Sequence, residues 1–175
     1  MNNGKIKCSI GILTLNCEDT LARCLENLRD FDEIIVCDGN STDKTIGIAK
    51  KFGAKIIKQY DSDEPNLRCV KDKANVRQKN MNAAAYDWYF FMDADDILPA
   101  ETIKEIRQIV NNDSEFSIYK MPTKIIINSK IINCASWYPA CQIRLFKRSA
   151  GAKFKGKVDD HIVFNKAKNN CKLFE

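Results

Sequence analysis

Asp87-Trp88-Tyr89-Phe90-Phe91-Met92-Asp93-Ala94-Asp95-Asp96 is the most informative stretch of this 175-residue chain. Its first part is an unbroken run of aromatic and large apolar side chains of strand length. Such a run fits a strand covered on both faces, as in a parallel sheet with helices on either side. Its second part sets three carboxylates within four residues, directly after that strand. Carboxylates this close repel one another, so a cation is their natural companion. Hard oxygen ligands with few protein contacts suit Mg²⁺ or Mn²⁺, which completes its shell with substrate phosphates. Calcium-loop spacing is absent, because no Gly and no Glu follow at the required positions. Without a ligand, the same residues read as a capped loop.

Working outward, the chain before this stretch alternates strand and helix. Cys8 to Leu15 is a strand, and Thr20 to Leu28 a helix with Leu21, Cys24, Leu25 and Leu28 at helical spacing and Asp19 placed to cap it. Glu33 to Cys37 is strand, Thr42 to Phe52 helix stopped by Gly53, and Ala54 to Lys58 strand again. Gln59 to Leu67, polar and carrying Pro65, is a loop, and a helix runs from about Cys69 to Tyr86. Pro99 opens another helix, with Ile103, Ile106, Ile109 and Val110 on one side. Beyond Asn112 the pattern changes to short strands: Phe116 to Met121, Lys124 to Ile127, Lys130 to Asn133 and Gln142 to Lys147. The Asn128-Ser129 turn makes the middle pair a hairpin. The expectation is one α/β domain over residues 1–175, its central sheet mostly parallel and flanked by helices, with a smaller antiparallel portion. Residues 6–98 form the nucleotide-binding part and 99–175 the acceptor-side part.

In open α/β sheets, ligands bind at the carboxyl ends of the strands. Polar clusters fall there three times: Thr14-Leu15-Asn16-Cys17-Glu18, Asp38-Gly39-Asn40-Ser41-Thr42-Asp43, and Asp93-Ala94-Asp95-Asp96. Each alone could be a turn or a helix cap. Three on one edge of one sheet are hard to explain as turns.

The order strand–T-x-N-x-E, strand–D-G-N-S-T-D-x-T, a helix holding R-Q-K-N at Arg77 to Asn80, then D-W-x-x-x-x-D-A-D-D resembles family 2 glycosyltransferases of the GT-A fold. Asp87-Trp88 and the later Tyr138-Pro139 and Gln142-Ile143-Arg144-Leu145-Phe146 resemble the branch that adds glucose-type sugars to lipopolysaccharide cores. The similarity runs from about Ile10 to Asp160. It implies an inverting, metal-dependent enzyme that moves a sugar from a nucleotide-diphosphate donor, typically a UDP-sugar, to a hydroxyl of a glycan or lipid-linked acceptor in cell-surface polysaccharide synthesis. Thr14, Asn16 and Glu18 would then line the nucleotide pocket with Asn40, and Asp38 would accept a hydrogen bond from uracil N3–H. Arg77 and Gln78 would lie near the donor phosphates and ribose. Asp93 would contact the ribose or the water of a Mn²⁺ or Mg²⁺ ion, and Asp95 would ligate that ion. Asp96 would sit near the donor sugar or cap a helix.

Inverting transfer needs one general base opposite the leaving diphosphate. Relatives in this branch carry Gly-x-Val-His-Glu after the basic strand, where this chain reads Gly156-Lys157-Val158-Asp159-Asp160-His161. Asp160 aligns with the Glu, one methylene shorter, and Asp159 replaces the His. Asp160, Asp159 and His161, the chain's single histidine, are the candidates for the base. Relatives of this kind often continue with acceptor-binding helices.

Composition narrows the alternatives. Hydrophobic content of 45% with 29% charged residues is that of a globular protein. No opening signal peptide and no apolar run of membrane-spanning length is present, so a cytosolic protein is expected. None of the eight cysteines forms a C-x-x-C pair, and reduced, structural thiols are expected. The net charge of +5 is uneven: residues 1–99 carry 14 basic and 16 acidic side chains, residues 100–175 carry 14 and 7. Arg144, Lys147, Arg148, Lys153, Lys155 and Lys157 cluster within 142–157 with no acid among them. That stretch is either a solvated rim or a surface facing phosphates, in a donor, a lipid-linked acceptor or the inner face of an anionic membrane. A sugar-nucleotide pyrophosphorylase would need a Gly-rich loop after the first strand, and Ile12 to Asn16 has none. A nucleic-acid binder would need a recognition motif, also missing. A non-catalytic nucleotide-sugar-binding domain, or a fragment of a larger glycosyltransferase, stays open as the alternative.

Overall fold

A computed structural model describes residues 4–62, 72–112, 114–127, 130–132, 140–157, 160–165 and 171–174. The chain runs β1 (Ile6–Thr14), α1 (Glu18–Asn27), β2 (Phe31–Asp38), α2 (Thr45–Lys51), β3 (Lys55–Lys58), α3 (Lys73–Asn82), β4 (Trp88–Asp93) and α4 (Ala100–Asn111). Short strands follow: β5 (Ile118–Thr123), β6 (Ile125–Ile127), β7 (Lys130–Ile132), β8 (Ala140–Lys147), β9 (Lys153–Lys155), β10 (His161–Val163) and β11 (Cys171–Leu173). The main sheet has the order β11-β5-β8-β4-β1-β2-β3. β1 through β4 are mutually parallel, and β8 inserts antiparallel between β4 and β5. The mostly parallel α/β sheet read from the sequence is therefore present, and β6 and β7 pair as the expected hairpin.

Side-chain alternation on the central strands builds two cores. Ile6, Cys8, Ile10 and Ile12 of β1, with Trp88, Phe90 and Met92 of β4, pack against Leu21, Cys24 and Leu25 of α1 and Ile106 of α4. Tyr89 faces the other way, onto Ala74 and Met81 of α3, Phe146 of β8 and Phe154 of β9. Gly11 lies on this second face because nothing larger fits. A Cβ there would stand 1.9 Å from the Tyr89 hydroxyl and 2.6 Å from Asn80 Oδ1. The buried Asn80 in turn donates to the carbonyls of Ile12 and Ile35, which ties α3 to β1 and β2.

Several boundaries differ from the sequence reading, each for a local reason. Asp19 does not cap α1: the helix starts at Glu18, and Asp19 lies in its first turn. The amide of Glu18 donates to Asp43 Oδ2 and that of Cys17 to Thr45 Oγ1, so the cap comes from the start of α2 and the residue two before it. α2 begins at Thr45, since the Ser41 amide turns to Asp38 Oδ2, the Thr42 amide to Asn16 Oδ1, and Asp43 Oδ1 accepts from the Thr45 amide. α3 is capped by Asp72 and stops at Asn82, where the amides of Ala85 and Tyr86 turn to Glu33 Oε2 and Ser9 Oγ. Asp87 holds the turn after β8 by accepting from the Ser149 amide and hydroxyl. Cys8, Cys24 and Cys37 are buried free thiols, and burial pushes the Cys24 thiol up to about 12. No described helix is long and apolar enough to cross a membrane.

Candidate active site

Strand register brings the three polar clusters together. Thr14 pairs with Asp38 across β1 and β2, and Leu13 pairs with Asp93 across β1 and β4. The carboxyl ends of three adjacent parallel strands thus meet at the point where the chain's strand order reverses about β1, the usual ligand crevice of such sheets.

On the β1–β2 side the polar residues brace one another. Asp38, only 4% exposed, accepts from the Thr14 hydroxyl at 2.8 Å, the Ser41 hydroxyl at 2.6 Å and the Ser41 amide at 2.8 Å. Asn16, at φ 50°, donates its amide to Ser41 Oγ and accepts from the Thr42 amide. Glu18 accepts from the Lys44 amide, and Asn40, at φ 60°, donates to the Ser62 carbonyl. Asn is among the few residues besides glycine that tolerate such left-handed backbone. Thr14, Asn16, Glu18, Asp38 and Asn40 therefore form a latched double loop.

The acidic stretch after β4 divides its labour. Asp96 Oδ2 accepts from the Asp93 amide at 3.0 Å, closing the turn. Burial raises the Asp96 carboxyl above its ordinary value, against the pull of that bond and of Arg144. Asp93 accepts from Arg77 at 2.8 Å, with Arg144 at 3.9 Å. Burial by itself would raise the Asp93 carboxyl, but Arg77, helped by Arg144 and Lys73, outweighs it and holds the group below the usual range. Asp95 is exposed and has no hydrogen-bonding or ion-pair partner among the described residues. It lies close enough to Cys17 that, after burial and the charges of Asp43 and Asp38, its own charge also raises that thiol.

Arg77 is the hub on the other side. It is 3% exposed, reaches Asp93 with one nitrogen and Asp160 Oδ2 with Nε at 3.0 Å, and lies 4.7 Å from the Phe91 ring centroid. Lys73, one turn earlier on α3, meets Asp160 Oδ1 at 3.1 Å. Arg144 stacks on the same Phe91 ring at 5.0 Å. These residues line a cleft of about 460 Å³, together with His161 and Lys120. Asp160 and His161 therefore open onto the cleft that also holds Asp93. Asp159 lies outside the described residues, as do Tyr138 and Pro139. Gln78 bonds Asn82 and the Phe154 amide, fastening β9 to α3.

The sequence reading assigns no site role to Lys73 or Phe91, and Arg144 enters it only within the Gln142–Phe146 motif and the basic 142–157 cluster. The Lys73–Arg77 spacing of one helical turn was a usable signal, because both then share a face. Phe91 carries none, and its meeting with Arg144 depends on β8 lying antiparallel beside β4.

A mostly parallel sheet with clustered acids at its crevice and an antiparallel flank defines the GT-A class of glycosyltransferase folds. The crystal structure of Staphylococcus aureus TarS residues 1–349 superposes with a TM-score of 0.63 at 16% identity, covering 85% of this chain and 50% of that one. Glucosyl-3-phosphoglycerate synthase of Mycobacterium tuberculosis, crystallised with Mn²⁺, UDP and glucosyl-3-phosphoglycerate, gives 0.51 at 22% identity, over 66% of this chain and 43% of the other. The chain belongs to Glycosyl transferase family 2, whose profile matches residues 9–166. It is 30% identical over 167 residues to an uncharacterised glycosyltransferase of Rickettsia typhi, covering 91% of this chain and 54% of the relative. It is 27% identical over 151 residues to the SPbeta prophage-derived glycosyltransferase SunS of Bacillus subtilis, covering 86% and 33%. The chain thus spans about half of the first relative and a third of the second.

Proposed function

We propose that this chain is the donor-binding and catalytic part of an inverting glycosyltransferase that takes sugar from a nucleoside-diphosphate donor, a UDP-sugar by preference. The observation that carries the reading is the Arg77 fork, which joins Asp93 at the donor edge to Asp160 across one cleft. The uracil preference rests on Asp38, whose Oδ2 accepts one bond, from the Ser41 amide, among the described residues and so retains an acceptor position for an N3–H donor. The acceptor is a hydroxyl of a glycan or lipid-linked substrate in cell-surface polysaccharide assembly. The work takes place in the cytosol at the inner face of a membrane. Exposed Lys153, Lys155 and Lys157 support that placement, while Arg148 of the same basic stretch is occupied with the carbonyls of Met81 and Ala84.

The described residues hold no group of three or more metal-ligating side chains. They do fit a Mn²⁺ or Mg²⁺ that binds mainly through diphosphate and water, since Asp95 offers an uncommitted carboxylate with Asp93 nearby. Such an ion, when bound, neutralises the diphosphate. The chain's own residues do the rest. The latched loops after β1 and β2 hold the nucleoside, and the acceptor hydroxyl attacks from the cleft side. Asp160 takes its proton. Each Asp160 oxygen has one ion-pair contact and two acceptor sites, so capacity remains. Arg77 fixes the carboxylate's orientation, and Lys73, with its side chain 41% exposed, is free to yield. His161 at the mouth is the second candidate for the base.

The test is release of nucleoside diphosphate from a panel of nucleotide sugars with Mn²⁺. We expect at least one UDP-sugar to be turned over, and Asp95→Ala to remove most of that turnover with its circular dichroism unchanged. Metal-independent turnover unaffected by Asp95→Ala would contradict the assignment.

A further inference from the structure

The cleft beside Asp160 has an excess of positive charge that its own residues do not use. Four cations line it, Lys73, Arg77, Lys120 and Arg144, against the two carboxylates Asp93 and Asp160. Lys73 and Arg77 are committed to Asp160 and Asp93 at 2.8 to 3.1 Å. Arg144 is held less tightly. Its Nη1 donates to the Phe91 carbonyl at 3.3 Å, but its Nη2 stands 3.9 Å from Asp93 and 3.8 Å from Asp96, beyond hydrogen-bond length. Lys120 has no acidic partner among the described residues; its neighbours Tyr119 and Met121 are buried while it is exposed to the cleft. With Asp96 counted against Arg144, one positive charge is left over, that of Lys120. A cleft keeps such an excess when its ligand brings the opposite charge.

We infer that the acceptor carries a phosphate, which binds between Lys120 and Arg144 while the hydroxyl to be glycosylated reaches Asp160. This rests on the glycosyltransferase reading above and adds the chemical class of the acceptor. A phosphate, singly negative as a diester and nearly doubly so as a monoester near pH 7, supplies the opposite charge, and a guanidinium with an ammonium is a common phosphate-reading pair. The Phe91 ring forms an apolar floor under Arg77 and Arg144. The volume of about 460 Å³ lies in the range of small-molecule sites and accommodates one sugar or polyol unit with its phosphate. The phosphate could arrive on a soluble ester or on a lipid or polymer diester, and the chemistry of recognition is shared.

The test titrates glycerol 3-phosphate, and glycerol as control, into the protein with and without saturating UDP and Mn²⁺. UDP occupancy is measured first, so failure of the donor reading shows as absent UDP binding, independently of the phosphate result. Vesicles of phosphatidylglycerol, against phosphatidylcholine, form the lipid arm. We expect the phosphate probe to bind the UDP-loaded protein and glycerol not to. Lys120→Gln should weaken phosphate binding about tenfold, the loss of one charge-assisted contact, with UDP affinity unchanged and Lys120→Arg retaining most of it. Binding confined to phosphatidylglycerol vesicles, and sensitive to Lys120→Gln, identifies a lipid-borne phosphate. No binding in either arm, or binding equal in wild type and Lys120→Gln, overturns the inference.

Discussion

Asp160→Asn is expected to lower sugar transfer by roughly 10²–10⁴-fold, the usual contribution of a positioned general base. The amide keeps the volume and one acceptor oxygen toward Arg77 or Lys73, yet it cannot take a proton from the attacking hydroxyl. Affinity for UDP is the internal control and should hold, because Asp160 lies on the cleft side of Asp93 rather than at the latched loops. Transfer is followed as UDP released from the donor, in parallel with His161→Ala. A wild-type rate in Asp160→Asn with a collapsed rate in His161→Ala would move the base to the imidazole, which shares the cleft.

Arg77→Met should carry the largest loss of stability of any single change in the site. The guanidinium is almost wholly buried and partners two carboxylates. Its removal leaves Asp160, whose side chain is 10% exposed, next to the half-exposed Asp93 with only Lys73 and Arg144 to offset them. Breaking a buried ion pair from one side costs about 3–5 kcal/mol. The exposure of Asp93 argues for the lower end, about 3 kcal/mol, or a Tm lower by about 6–12 °C in a domain of this size. The pH profile should change with it. Asp93 has a lowered carboxyl in the folded protein, so the stability it contributes is fully present above its unfolded value of about 3.9 and is lost as pH falls through the folded one. Arg77→Met should be less stable near neutrality and shed less of its stability on acidification. Thermal melts at pH 7 and pH 3 measure both effects. An unchanged Tm at pH 7 would show that the fork contributes nothing.

How much of this was legible beforehand depended on the range of the interactions. β4 and its carboxylates declared themselves, since an aromatic run covered on both faces and an acidic end are local facts. The helices α1 and α4 followed from apolar spacing for the same reason. Boundaries failed where a side chain from elsewhere took a backbone group: Asp43 and Thr45 capping α1, or Glu33 and Ser9 ending α3. The strands β9, β10 and β11 have three residues each, too few for an alternating pattern to show. In the site, the donor-edge acids were read from their position after strands. Arg77 meeting Asp160, 83 residues away, could not be read from either residue, because α3 and the segment before β10 are joined only by the fold.

The central claim is that the carboxyl edge of β1, β2 and β4 holds a nucleoside diphosphate through a divalent cation at Asp95. Titration calorimetry of UDP into the protein, with Mn²⁺ and then with excess EDTA, tests it most directly. The account predicts saturable one-to-one binding with Mn²⁺ that falls by at least about tenfold in EDTA, because the exposed acids then repel the diphosphate. UDP binding of equal strength in EDTA, or no binding in either condition, would contradict it.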